Sequence, residues 1–84
     1  MNVTLEIPDE VLADLPVPAP DRAAFLRLEA ACGLYARDVL SLGRAAELAG
    51  IPKFDFGLEV GRRGIPRHYT AEDLEADIAY ARGQ

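Results

Sequence analysis

The sequence predicts a mainly α fold: a small helical domain with a helix-turn-helix and one short N-terminal β-strand that pairs in a dimer ribbon. Three observations lead there. Residues 40–66 read LSLGRAAELAGIPKFDFGLEVGRRGIP, two short helical runs joined by Gly50-Ile51-Pro52. Residues 22–40 repeat apolar side chains at spacings of three and four, the signature of one buried helical face. Val3-Thr4-Leu5-Glu6-Ile7 alternates apolar and polar, the period of a half-buried strand, until Pro8 stops it.

Eighty-four residues are too few for two hydrophobic cores, so a single domain over 1–84 is expected. It divides into a strand, short helix and Pro-rich connector (1–20), a scaffold helix with the helix-turn-helix (21–66), and a C-terminal segment (67–84). Half of the residues are hydrophobic, which excludes a disordered tail, yet no apolar run is long enough to span a membrane. Met1 to Glu6 lacks the basic start and apolar stretch of a signal peptide, and Cys32 has no second cysteine to bond, so a cytoplasmic location is expected.

The elements follow in chain order. Val3, Leu5 and Ile7 present one apolar edge, and a lone strand needs a partner for its backbone groups. A ribbon between two copies is favoured; an internal pairing with Arg67–Tyr69 stays open. Asp9 to Leu15 can make one or two helical turns. Pro16-Val17-Pro18-Ala19-Pro20 forces an extended connector, because each proline disfavours helix at the residue before it. Asp21 suits the N-cap of a helix from Arg22 to about Leu40, with Phe25, Leu28, Cys32, Tyr35 and Val39 along its apolar stripe. Cys32 in that stripe reads as a buried structural thiol.

Ser41 caps the next helix, Leu42 to Ala49, whose Ala45, Ala46 and Ala49 allow a close helix crossing. Gly50 suits a left-handed helix end, Ile51 plugs the gap, and Pro52 starts a presented helix near Lys53 to Arg63 that Gly64 closes. Thr70 caps a last helix, Ala71 to Arg82, with Asp73 at the capping-box position and a thin apolar stripe of Leu74 and Ile78. That helix either lies solvated on its own domain or serves a partner.

Charge separates the possible roles. The net charge is −5, but residues 41–70 hold five basic residues (Arg44, Lys53, Arg62, Arg63, Arg67) against three acids. Arg44, Lys53, Arg62 and Arg63 are therefore the candidate DNA contacts, though an excess of two is a weak footprint for nucleic acid. The presented helix is poor in base-reading side chains, and Phe54, Phe56, Leu58 and Val60 are too many for one core-facing stripe. Protein contact is favoured over base contact. Gly57 and Gly61, four apart, suggest close packing by another helix. One histidine, one serine and no Cys–His pair at ligand spacing give no basis for a metal site, a cofactor or an enzyme; His68 reads as a surface or interface residue.

MNVTLEIPDEVL, LSLGRAAELAGIP and RRGIPRHYTAEDLEADI, in this order and spacing, resemble the uncharacterised protein family zero-one-seven-five. These are small prokaryotic proteins regarded as antitoxins, often encoded beside PIN-domain ribonuclease toxins. The resemblance implies a type II antitoxin that neutralises a PIN-type toxin and can autoregulate on operator DNA. It implies a homodimer through Val3, Leu5 and Ile7, a central motif that addresses DNA, and a toxin-binding segment with Arg67, His68, Tyr69, Leu74, Ile78 and Arg82. Arg67 or Arg82 would then enter the toxin's acidic, metal-binding site. The alternative is a protein-interaction module whose helix-turn-helix is only a packing corner and binds no DNA.

Overall fold

The computed structural model describes residues 2–67. They form four helices: α1 (Asp9–Ala13), α2 (Arg22–Ala36), α3 (Leu42–Ala49) and α4 (Lys53–Arg62), with a 3-10 turn at Ala19–Asp21 leading into α2. The expected C-terminal helix, Ala71 to Arg82, lies outside the described residues.

The core is built where α2, α3 and α4 meet. Ala31, Cys32 and Tyr35 from α2, Leu42, Ala45, Ala46 and Ala49 from α3, and Phe56 and Val60 from α4 are all buried. The alanines let the backbones approach, so the two aromatic rings can meet across the bundle. Tyr35 and Phe56 stack edge to face, centroids 6.1 Å apart and planes at 85°. Such a pair adds about 0.5–1.5 kcal/mol beyond its burial. Leu28, Leu40, Leu48, Ile51 and Ile65 close the rim.

Three helices in succession end in the same way. After α2, α3 and α4 a residue turns left-handed, namely Asp38 (φ 61°), Gly50 (φ 75°) and Gly64 (φ 73°). The following amide then reaches back five residues: Val39 N–H to Leu34 O at 2.9 Å, Ile51 to Ala46 at 3.2 Å, Ile65 to Val60 at 3.1 Å. This is the Schellman termination, which satisfies the last carbonyls and turns the chain sharply within two residues. At the other end of α3, the Ser41 side chain accepts the Arg44 amide at 3.1 Å, as its N-cap role requires.

Several expectations need correction. Residues 3–7 form no strand, and no strand occurs among the described residues. A strand exists only as one side of a ladder, and within a single chain Val3, Leu5 and Ile7 have no ladder partner. Arg67 is not extended against them, and Tyr69 lies outside the described residues. Helix α2 stops at Ala36, not near Leu40, because Asp38 takes the left-handed position that usually signals itself as glycine. Val39 consequently leaves the apolar stripe and is exposed. Asp21 sits at the N-cap without a side-chain hydrogen bond, since the 3-10 turn already gives it helical dihedrals. Pro52 is the N-cap of α4 and not its first residue.

The local geometry predicts opposite signs for two glycines. A Cβ at Gly33, in the last turn of α2, would meet nothing within 4 Å among the described residues, so Gly33→Ala raises stability by about 0.5–1 kcal/mol. Gly50→Ala forces a side chain into the left-handed region and lowers stability by about 1–2 kcal/mol. Urea midpoints moving in opposite directions check both. Cys32 is 2% exposed, and burial raises its thiol pKa above the ordinary value. A thiol-specific reagent is therefore expected to label the native chain slowly and the urea-unfolded chain fully.

Candidate functional site

The corner between α3 and α4 is held from outside by α2. Arg27 Nε donates to Leu48 O at 2.7 Å and its Nη2 to Glu47 O at 3.4 Å. A charged donor thus satisfies carbonyls at the negative end of α3, where a cation is favoured. The same guanidinium would lie 3.4 Å from a Cβ on Gly50. Glycine is favoured there by its left-handed dihedral, since a Cβ would make only ordinary van der Waals contact with Arg27. No spacing rule in the sequence marks Arg27 for this role.

The corner presents α4 with two distinct faces. Phe56, Gly57 and Val60 are buried against α2 and α3. Phe54 is 75% and Leu58 59% exposed, four residues apart, and Gly61 continues the same outward stripe with open space where a Cβ would be. The surplus of apolar groups on this helix is thereby accounted for: two face in and two face out. Among the described residues, Gly57 and Gly61 share no packing partner. Gly57 instead seats the Arg67 guanidinium, 3.3 Å from its would-be Cβ.

The four candidate DNA contacts do not converge. Arg44 stands in the first turn of α3 and pairs with Glu47 at 2.9 Å. Lys53 begins α4, whereas Arg62 and Arg63 end it, so roughly 14 Å of helix separates them. Arg62 Nε donates to Glu59 at 3.2 Å and its Nη2 makes a second bond to the same carboxylate. Arg63 donates to Glu59 at 2.6 Å and also pairs with Glu29 of α2. All three arginines therefore carry a carboxylate partner. The Glu29–Arg63–Glu59–Arg62 chain ties the end of α4 to α2.

Of the candidate partner contacts, Arg67 is the one described; His68, Tyr69, Leu74, Ile78 and Arg82 lie outside the described residues. Of the dimerisation candidates, Val3 is 86% and Leu5 78% exposed, while Ile7 is half-buried. The three border an open groove along the start of α2, with Leu12, Leu26 and Arg22 on its walls. Arg22 Nε is buried there without a hydrogen-bond partner among the described residues. No three His, Cys, Asp or Glu side chains among the described residues come together as a metal site would require.

The hydrogen bonds from Arg62 and then Arg63 hold the Glu59 carboxyl below the ordinary glutamate range, and Glu59 in return raises both arginines. A depressed carboxyl contributes stability that is full above the unfolded value, about 4.3, and is lost as pH falls from there through the lower folded value. Glu59→Gln is therefore expected to lower the urea midpoint at neutral pH. Its deficit relative to the natural chain should shrink as pH is lowered toward 3; a deficit that stays constant would assign the effect to packing.

Comparison with known proteins gives one consistent answer. The family model described as "Uncharacterised protein family (UPF0175)" matches residues 1–83. A UPF0175 protein of Aeropyrum pernix is 38% identical over 96% of this chain and 86% of its own length. One from Synechocystis sp. is 31% identical over 95% of this chain and 85% of its own. An Archaeoglobus fulgidus UPF0175 protein is 40% identical over a shorter stretch, 62% of this chain and 60% of its own. No solved structure matches the chain. A match that runs through the helix-turn-helix and both flanks identifies the chain as a member of the uncharacterised protein family UPF0175.

Proposed function

We propose that the chain is the antitoxin of a type II toxin–antitoxin pair and neutralises a PIN-type ribonuclease through protein–protein contact. The family resemblance supplies the class of partner. The observation that favours protein contact over base contact is the pairing on α4, where Arg62 and Arg63 are bound to carboxylates. Base reading needs free hydrogen-bonding side chains along the leading part of such a helix. In this reading the helix-turn-helix is a packing corner, and the chain acts in the cytoplasm beside its ribonuclease partner. Among the described residues no helix is long and apolar enough to cross a membrane.

Two copies associate through Val3, Leu5 and Ile7, and the exposure of Val3 and Leu5 supports a ribbon completed by the second chain. The segment from Arg67 onward engages the toxin, with an arginine directed into its acidic, metal-binding site. A second reading, autoregulation on operator DNA, is favoured by the α3–α4 corner itself and by the basic excess in residues 41–70.

Co-expression with the neighbouring gene product tests the proposal. The full chain should co-purify with that product and abolish its ribonuclease activity, and a chain ending at Pro66 should do neither. Neutralisation by the shortened chain would refute the placement of the toxin contact. Retardation of the chain's own promoter, falling steeply with salt and lost in an Arg44→Ala, Lys53→Ala double variant, would establish the second reading.

A further inference from the structure

We infer that the outward face of α4 is a two-fold interface with a second copy of this chain, in which Phe54 seats over Gly61 of the partner subunit and Asp55 faces the partner's Arg62. The stripe Phe54, Leu58, Gly61 has the spacing of a helix–helix seam, since four and then three residues return to the same side. Its composition is asymmetric along the helix, a large exposed ring at one end and an open glycine at the other. Antiparallel pairing about a two-fold axis through Leu58 converts that asymmetry into a fit. Each Phe54 meets a Gly61, and the two leucines meet at the axis.

Charge agrees with the same register. Asp55 and Arg62 are seven residues apart, almost two full turns, so they lie on one flank of α4. A two-fold axis perpendicular to the plane of two antiparallel helices keeps that flank on the same side in both copies and reverses its direction. Asp55 of each copy then stands opposite an arginine of the other, giving two symmetric ion pairs. A parallel arrangement would put Asp55 of one copy level with Asp55 of the other on opposite flanks of the seam, and neither ion pair would form. Arg62 holds Glu59 on its own helix, and its guanidinium has five donors, enough for a second carboxylate. The isologous form is the one most soluble oligomers adopt.

The interface is separate from residues 3–7 and does not rest on the toxin or on DNA. Its test is the molar mass of the full-length chain by light scattering after size-exclusion, with helical content followed by circular dichroism. Leu58→Glu, a change at an exposed site, should leave helicity unchanged and halve the mass. It yields a monomer if residues 3–7 make no ribbon and a dimer if they do, so the two associations are read separately. Asp55→Arg and Arg62→Asp should each weaken association about tenfold, through two lost pairs and new like-charge contacts. The double variant D55R/R62D should recover to within about threefold, because exchanging the charges preserves the complementarity. Identical masses for the natural chain and a folded Leu58→Glu variant would overturn the proposal. So would a double variant no stronger than either single one.

Discussion

The Arg27 guanidinium, bound to the last carbonyls of α3 and resting beside Gly50, is the contact on which the presentation of α4 depends. A left-handed glycine alone ends α3; it does not choose where the next helix points. Arg27 ties the end of α3 to α2, and Ile51 packs from the other side into the core. The direction of α4 is then set, with Phe56 and Val60 buried and Phe54 and Leu58 turned away. The role is electrostatic as well as steric, because the carbonyls at a helix C-terminus carry partial negative charge that an arginine offsets.

A core made of so many alanines has a cost. Ala31, Ala45, Ala46 and Ala49 bring helices close but bury little area, so Tyr35, Leu42, Phe56 and Val60 carry most of the hydrophobic stabilisation, about 1.5–3 kcal/mol for each aliphatic or Phe side chain. Against this the chain leaves Val3, Leu5, Phe54 and Leu58 in water. A small domain that keeps comparable apolar groups outside and inside has an incentive to associate, since covering them recovers free energy of the size its own core supplies. The most exposed of them, Val3 and Leu5 on one side and Phe54 on the other, lie on separate surfaces, the N-terminal segment and α4.

The α3–α4 region was legible in the sequence because its signals are local. Ser41 caps, Gly50 and Gly64 turn left-handed, and Ile51 fills the corner, each within a few residues of the feature it controls. The errors have the opposite character. The early end of α2 rests on Asp38 in a conformation that glycine normally announces, so the apolar stripe carried the expected helix too far. Asp21 looked like a cap, but the 3-10 turn before it had already used the helical geometry a cap must avoid. Among the described residues the neighbour of Gly57 is the Arg67 guanidinium, ten residues on, which no helical spacing announces. The Arg27 contact joins residues about twenty apart, beyond any periodicity rule. The N-terminal alternation correctly reports an apolar edge, but pairing belongs to whatever chain completes it.

The distribution of carboxylates decides how the basic excess of residues 41–70 should be weighed. Counted by formal charge, the stretch is positive by two; counted by geometry, Arg44, Arg62 and Arg63 are each held by glutamates. A phosphate approaching these arginines would meet the Glu47 or Glu59 carboxylate already bound to them, and that carboxylate repels it. The counterion release that drives nucleic-acid binding scales with the charges a protein contributes, so self-paired arginines contribute less than their number implies. Burial adds to this for Glu59 and Arg63, which sit less exposed than Arg44 and Glu47 and are the harder pair to separate. A protein surface, by contrast, can use Phe54 and Leu58 as they stand.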